Sequence, residues 1–257
     1  MSKEIENFNS NFDDEILDLA FVLKESCLGA GKANKDKYYT LYIHAIALKN
    51  IASNEIIEND NIIIQKKVKE TKEYFQMIKS KSIARLKVRK EKTSSDLYMR
   101  FLIEDIICTN YKDNDLNIIL EKYLKPIYYK DEELGDFELD KAINCFEKNM
   151  SWIDNNISIL FEDINEELNK KSADIIKKIF ANKKDIDMKL KECAAESIFK
   201  PHNTEKEEFI KSISLTSISI DYEDCITFYL KNSDGHTISV NSDWGFNLKP
   251  ITQLMFF

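Results

Sequence analysis

From Glu166 to Phe199 apolar residues recur at spacings of three and four, whereas on both sides of that block they alternate within short segments. A chain so patterned has to combine a helical layer with antiparallel strands. Within the block, Ile175, Ile176, Ile179 and Phe180 form one stripe, and Ile186, Leu190, Cys193, Ala194 and Ile198 form another. The polar stretch Asn182–Asp185 between them predicts a break, hence a pair of helices. The clearest alternation lies upstream, at Ile83–Lys90. There Ala84, Leu86 and Val88 point one way and Arg85, Lys87 and Arg89 the other, the pattern of a half-solvated strand. Tyr98–Ile107 reads as its partner across a turn at Thr93–Asp96. At the far end Ile218, Ile220 and Tyr222, then Ile226, Phe228 and Leu230, then His236, Ile238 and Val240 alternate as a meander. Its turns fall at Glu223-Asp224 and Asn232–Gly235. The expected class is α+β.

With 257 residues the chain divides most naturally into two domains, 1–128 and 129–257. In the first, Asp13–Leu28 is expected to be a helix stopped by Gly29 and Gly31, followed by a buried strand at Tyr39–Leu48 and a short one at Ile62–Gln65. Helices are expected around Lys69–Ile78 and at Leu116–Leu124, the latter ended by Pro126. This order suits either a small mixed sheet or an OB-like barrel with helices. In the second domain Phe137–Asp140 and Ile157–Glu162 read as strands enclosing a loop that carries Phe146 and Trp152. Thr204 and Glu207 have capping-box spacing ahead of a short helix, so a helical pair should pack on the meander.

Charge narrows the functions. A net charge of -8 opposes broad attraction to nucleic acid or to anionic membrane, both of which require a basic field. No apolar run approaches the roughly 18 residues of a spanning helix, and the acidic start Met1–Asp14 lacks a secretory pattern. Five scattered cysteines without a Cys-x-x-Cys pair fit free thiols in a reducing cytoplasm. No metal or other cofactor is expected, because three histidines with no zinc spacing leave only loop carboxylates as ligands.

Few residues invite a chemical reading. Gly29-Ala30-Gly31-Lys32 imitates a phosphate loop, but Ser26 stands where the first glycine belongs and Ala33 where the magnesium ligand belongs, which leaves a helix-capping turn. The chain's three arginines, Arg85, Arg89 and Arg100, lie in one hairpin. With Lys87 they could grip phosphate or an acidic protein surface, or simply form a solvated sheet face. His236 follows a turn glycine on the face of Ile238 and Val240. It reads as a buried histidine bonded to the turn, or as a base if Asp234 or Asp243 lies within reach. Trp244 and Phe246 flank Gly245 and could anchor an interface or plug a core edge, and the apolar end Leu254–Phe257 could be either as well.

The segments Leu134–Leu139, Phe146, Trp152-Ile153, the helical pair, Glu208-Phe209 and Gly235-His236-Thr237-Ile238-Ser239-Val240 resemble an uncharacterised prokaryotic family, domain-of-unknown-function family 2262. The resemblance covers roughly Lys130–Phe257, and the first half looks like the amino-terminal region of its longer members. Asn232-Ser233-Asp234 stand where members tend to carry aromatics. The resemblance implies an α+β fold and supplies no activity or cofactor; by analogy, compact bacterial families of this kind include immunity proteins of polymorphic toxin systems. The expected role is therefore a non-enzymatic cytoplasmic protein that binds another protein, such as a toxin. The alternatives are a nucleic-acid- or phosphate-binding module on the Arg85/Lys87/Arg89 strand, an enzyme, or an oligomer-forming role.

Overall fold

The computed structural model describes residues 2–93, 97–162, 164–199, 204–221, 225–243, 245 and 247–255. They fall into two compact units, Met1–Lys125 and Pro126–Phe257.

Five strands form the first unit: β1 (Leu17–Gly31), β2 (Tyr39–Asn50), β3 (Ile56–Val68), β4 (Ile83–Lys90) and β5 (Met99–Cys108). They close into an OB-like barrel in the order β1-β2-β3-β5-β4. β3 and β5 run parallel, from Ile62↔Met99 to Gln65↔Leu102, and the other neighbours are antiparallel. The interior is filled by alternate residues, Phe21, Leu23, Leu41, Ile43, Ile62, Ile64, Leu86, Val88 and Phe101 among them. Phe21 meets the edge of Phe101 at 5.6 Å.

Three helices decorate the barrel: α1 (Lys3–Asn9), α2 (Lys72–Met77) and α3 (Asn114–Leu124). α3 presses Leu116 onto Ala20, Val22, Ile46, Ala47 and Ile83, on the outside of β1, β2 and β4. Asp113 caps its first turn by accepting from the Leu116 N–H at 3.0 Å. Asp113 and Asp115 each also accept from Lys49 Nζ at 2.8 Å, which clamps the helix start to β2. These bonds, first that to Asp113, push the Lys49 ammonium up to about 12.

Asp13–Leu28 is thus no helix, because Leu17–Gly31 is β1. From Leu19 to Leu23 every residue is buried, one set inside the barrel and the other under α3, so the strand shows no alternation in sequence. Register shifts after Val22 and between Leu23 and Leu28 disturb the period further. Gly29 and Gly31 pair as ordinary strand residues with Tyr42 and Thr40, instead of capping a helix.

The second unit is one sheet of eight strands with helices on one side. β6 (Tyr128–Asp131), β7 (Gly135–Asp140), β8 (Cys145–Ser151) and β9 (Asn156–Phe161) form an antiparallel meander. The chain then crosses through α4 (Glu166–Ala181), α5 (Lys183–Ile198) and α6 (Thr204–Ser212). It returns as a second meander of β10 (Ser214–Ile220), β11 (Cys225–Lys231), β12 (Thr237–Asp243) and β13 (Leu248–Met255). The two meanders join where β9 and β10 run parallel, from Ser158↔Ser217 to Phe161↔Ile220. Because the connection is a helical crossover, parallel pairing is the expected result there. Beneath α4 and α5, Phe137, Phe146, Ile157, Ile159, Phe161, Ile218, Ile220, Ile226, Phe228 and Val240 make the core.

Phe146 lies in a strand, β8, and not in a loop, while Trp152 lies just past that strand. The Trp152 indole is 2% exposed, meets the Phe180 ring edge-on at 5.3 Å and donates Nε1–H to Asp187 Oδ1 at 2.9 Å. It is a core pillar that binds the sheet to the helical layer.

Candidate functional site

The expected basic row is real as geometry, and its cations face acids of the same barrel. Arg85 on β4 makes a bidentate pair with Asp18 of β1, at 2.9 Å and 2.7 Å, with its guanidinium 5.5 Å from the centre of the Tyr111 ring. Arg89 donates to Glu104 and to the Asp13 carbonyl, and Arg100 on β5 lies 3.7 Å from Glu91. Lys87 is exposed, in register with Asp18 on one side and Asp105 on the other. The Arg85 bond holds the Asp18 carboxyl below its usual range, as a carboxylate in a tight pair should be. A ligand phosphate would have to displace these carboxylates.

His236 is exposed, not buried, and it precedes β12 instead of lying within it. Asn232 organises the turn: its side-chain oxygen accepts the His236 N–H at 2.8 Å, and its own N–H donates to the His236 carbonyl at 3.0 Å. Gly235 adopts φ +88°, which is why glycine stands there. Asp243 accepts from the Gly245 and Asn247 amides at 2.9 Å and 3.1 Å, so it closes its own turn. Trp244, Phe246, Phe256 and Phe257 lie outside the described residues. Among the described residues no group of three or more His, Cys, Asp or Glu is placed to hold a metal ion. No helix there is long and apolar enough to cross a membrane.

The feature that sequence reasoning missed is the uncovered side of the eight-stranded sheet. The strand registers place Ser158, Ser217, Ser219, Thr227, Ser239 and Asn241 together on that side, around Tyr229. This makes a strip of short polar side chains, in which Ser219 and Ser239 are buried between their neighbours. Toward β7, β8 and β9 the same side carries Asp136, Glu138, Asp140, Glu147 and Glu162. Glu147 accepts the Ser158 hydroxyl at 2.5 Å and Glu162 accepts that of Ser219. Among the described residues none of these five carboxylates is in an ion pair, in contrast to the paired acids of the barrel, and the one cation opposite them in register is Lys130, across from Asp136.

Their field is felt locally. Burial, and then Glu162, Asp140 and Glu147, push the Cys145 thiol up, and burial followed by Glu162 does the same to the Tyr229 hydroxyl. On the helical side, a pocket of about 170 Å³ lies at the α4–α5 break, lined by Lys178, Asn182, Asp185, Ile186, Lys189 and Leu248. Lys189 is paired there with Asp185 at 2.7 Å, which leaves Lys178, among the described residues, as the uncompensated charge of the rim.

Comparison with known proteins identifies both halves at the level of the family. Residues 4–123 match a domain of unknown function, DUF7021, a region that lies wholly within the barrel unit and spans nearly all of it. No curated protein sequence matches the chain. Residues 131–250 match the family described as uncharacterized protein conserved in bacteria, DUF2262, over the sheet from the end of β6 into β13, so the second unit is similar to that family.

Proposed function

We propose that this chain is a non-enzymatic, cytoplasmic protein-binding protein whose eight-stranded sheet covers a basic surface of another protein. The observation that carries the reading is the row of five carboxylates that, among the described residues, take part in no ion pair, beside a strip of short polar side chains on the side of the sheet opposite the α4–α5 core. Long-range attraction from such an acidic rim raises the rate of encounter with a cationic partner, and short side chains let that partner's backbone approach closely. A net charge of -8 adds to the same field. Covering a basic toxin, as immunity proteins do, is the specific form of this role that we favour, since toxins acting on nucleic acid are commonly basic.

The test is charge reversal on the rim. Glu138→Lys, Glu147→Lys and Glu162→Lys together should weaken binding to a partner recovered from the native host by tenfold or more, mostly through slower association, and should reduce the salt dependence. Reversal of Glu192 on α5 should leave the affinity unchanged. Retention of the partner by the triple variant at unchanged affinity and salt dependence rejects the reading.

A further inference from the structure

The barrel carries a built receptor for a carboxylate, and the chain fills it with its own Glu4. The β1–β2 loop presents two successive backbone amides, so that Lys37 N–H donates to Glu4 Oε2 at 3.0 Å and Tyr38 N–H to Oε1 at 3.4 Å. Lys67, from the neighbouring strand β3, donates Nζ to the same Oε1 at 3.3 Å. The Lys67 side chain is only 8% exposed, and Asp36 fixes it from the loop at 2.8 Å. Both oxygens of one carboxylate are therefore read by three donors of fixed direction, and the Lys37 amide leads in holding Glu4 below the usual carboxylate range.

The guest is attached far more lightly than the host is built. α1 has seven residues and none of them is buried, whereas a helix of that length has little stability of its own. Phe8 adds a further hold, its ring lying 5.7 Å from Lys67 Nζ and 5.5 Å from the ring of Phe12. Immediately afterwards the chain is pinned, with Phe12 at 1% exposure and Asp13 N–H donating to the Lys90 carbonyl at 2.8 Å. The Ser10 and Asn11 carbonyls also accept from Lys92, at 3.0 Å each, so it is the segment before Ser10 that can swing away without disturbing the barrel.

We propose that the Lys37 and Tyr38 amides with Lys67 form a carboxylate-binding site for an acidic side chain of a partner protein, which Glu4 occupies in cis and which the partner enters by displacing α1. The tether gives Glu4 an effective concentration on the order of millimolar, so a free acidic ligand meets a competitor that is always present. Removal of the Glu4 carboxylate should therefore uncover binding that the native chain suppresses.

The experiment uses the full-length chain, 15N-labelled, as wild type and as Glu4→Ala, with Glu4→Gln as a second vacated form. Each is titrated at constant ionic strength with sodium acetate, with sodium chloride, with sodium phosphate, and with a peptide of the chain's residues 2–10, either native or carrying the Glu4→Gln change. Saturable shifts of the Lys37 and Tyr38 amide resonances are expected with acetate and the native peptide in both vacated forms. They should be at least tenfold weaker in the wild type and lost when Lys67→Met is added. Equal response to chloride and acetate, equal affinity for the native and the Glu4→Gln peptide, undiminished binding by the wild type, or a preference for phosphate over acetate would each overturn the proposal.

Discussion

Truncation of Phe161 to alanine should cost the second unit about 4 kcal/mol. The side chain is fully buried in β9, stacked on Phe137 at 4.5 Å and meeting Tyr129 edge-on at 5.9 Å. Loss of a buried phenyl ring costs about 3–5 kcal/mol, and part of that is the two ring pairs, each contributing about 0.5–1.5 kcal/mol. Phe161→Leu keeps most of the volume and loses the ring pairs, so it should cost about half as much. With a urea slope of about 2 kcal/mol/M, the alanine variant should unfold at a midpoint about 2 M lower. Both tryptophans, Trp152 and Trp244, belong to the second unit, so intrinsic fluorescence in a urea titration isolates it from the barrel. A loss below about 1.5 kcal/mol for alanine, or a leucine variant as damaged as the alanine one, would show that the aromatic cluster does not carry the core as argued.

Three further outcomes are expected. Asp18, with its pKa depressed by Arg85, contributes stability that is present above the unfolded carboxylate value of about 3.9 and is lost as pH falls through the lower folded value. A 13C carboxyl titration should accordingly find Asp18 titrating low in the native chain and near the ordinary value in Arg85→Met. Cys27 has no exposed surface, and its burial pushes the thiol up. Mass spectrometry after iodoacetamide at about pH 8 should therefore find Cys108 labelled before Cys27, which should react only in denaturant. Gly235→Ala should cost about 1 kcal/mol in urea unfolding through its φ of +88°, because the nearest atom to the added methyl, Lys231 Cε, is 3.8 Å away and offers no clash.

What can be read in the sequence follows how each element is solvated. β4 lies between an apolar interior and a charged exterior, so its limits Ile83–Lys90 are those predicted from alternation alone. The α4–α5 break falls inside the polar stretch Asn182–Asp185 but takes up Asn182 alone, since Lys183–Asp185 already form the first turn of α5. β1 reads as a helix because α3 covers its outer side, a long-range fact that no local pattern encodes. β8 escapes detection because Lys148 occupies a core-side position, where its ammonium reaches over the Phe137 ring at 5.6 Å and spoils the alternation. Residue type alone selects the site candidates. The Arg85 row is matched by acids distant in sequence, and the acidic rim is hidden because its carboxylates come from two strands and the end of a third. Glu4 gives no signal at all, since its partners are backbone amides and a lysine more than sixty positions away.

The parallel seam between β9 and β10 governs the order in which the second unit can assemble. Each meander closes through short turns and can pair as soon as it is made, but residues 162–213 intervene before Ile159 finds Ile218. That wide loop has to be closed by the helices folding onto one half, so the seam is the late step and an unzipped half-sheet is the species exposed to aggregation. A mutation at Ser158 or Ser217 should consequently slow refolding less than one at Ile159 or Ile218, whose contacts stitch the two halves together.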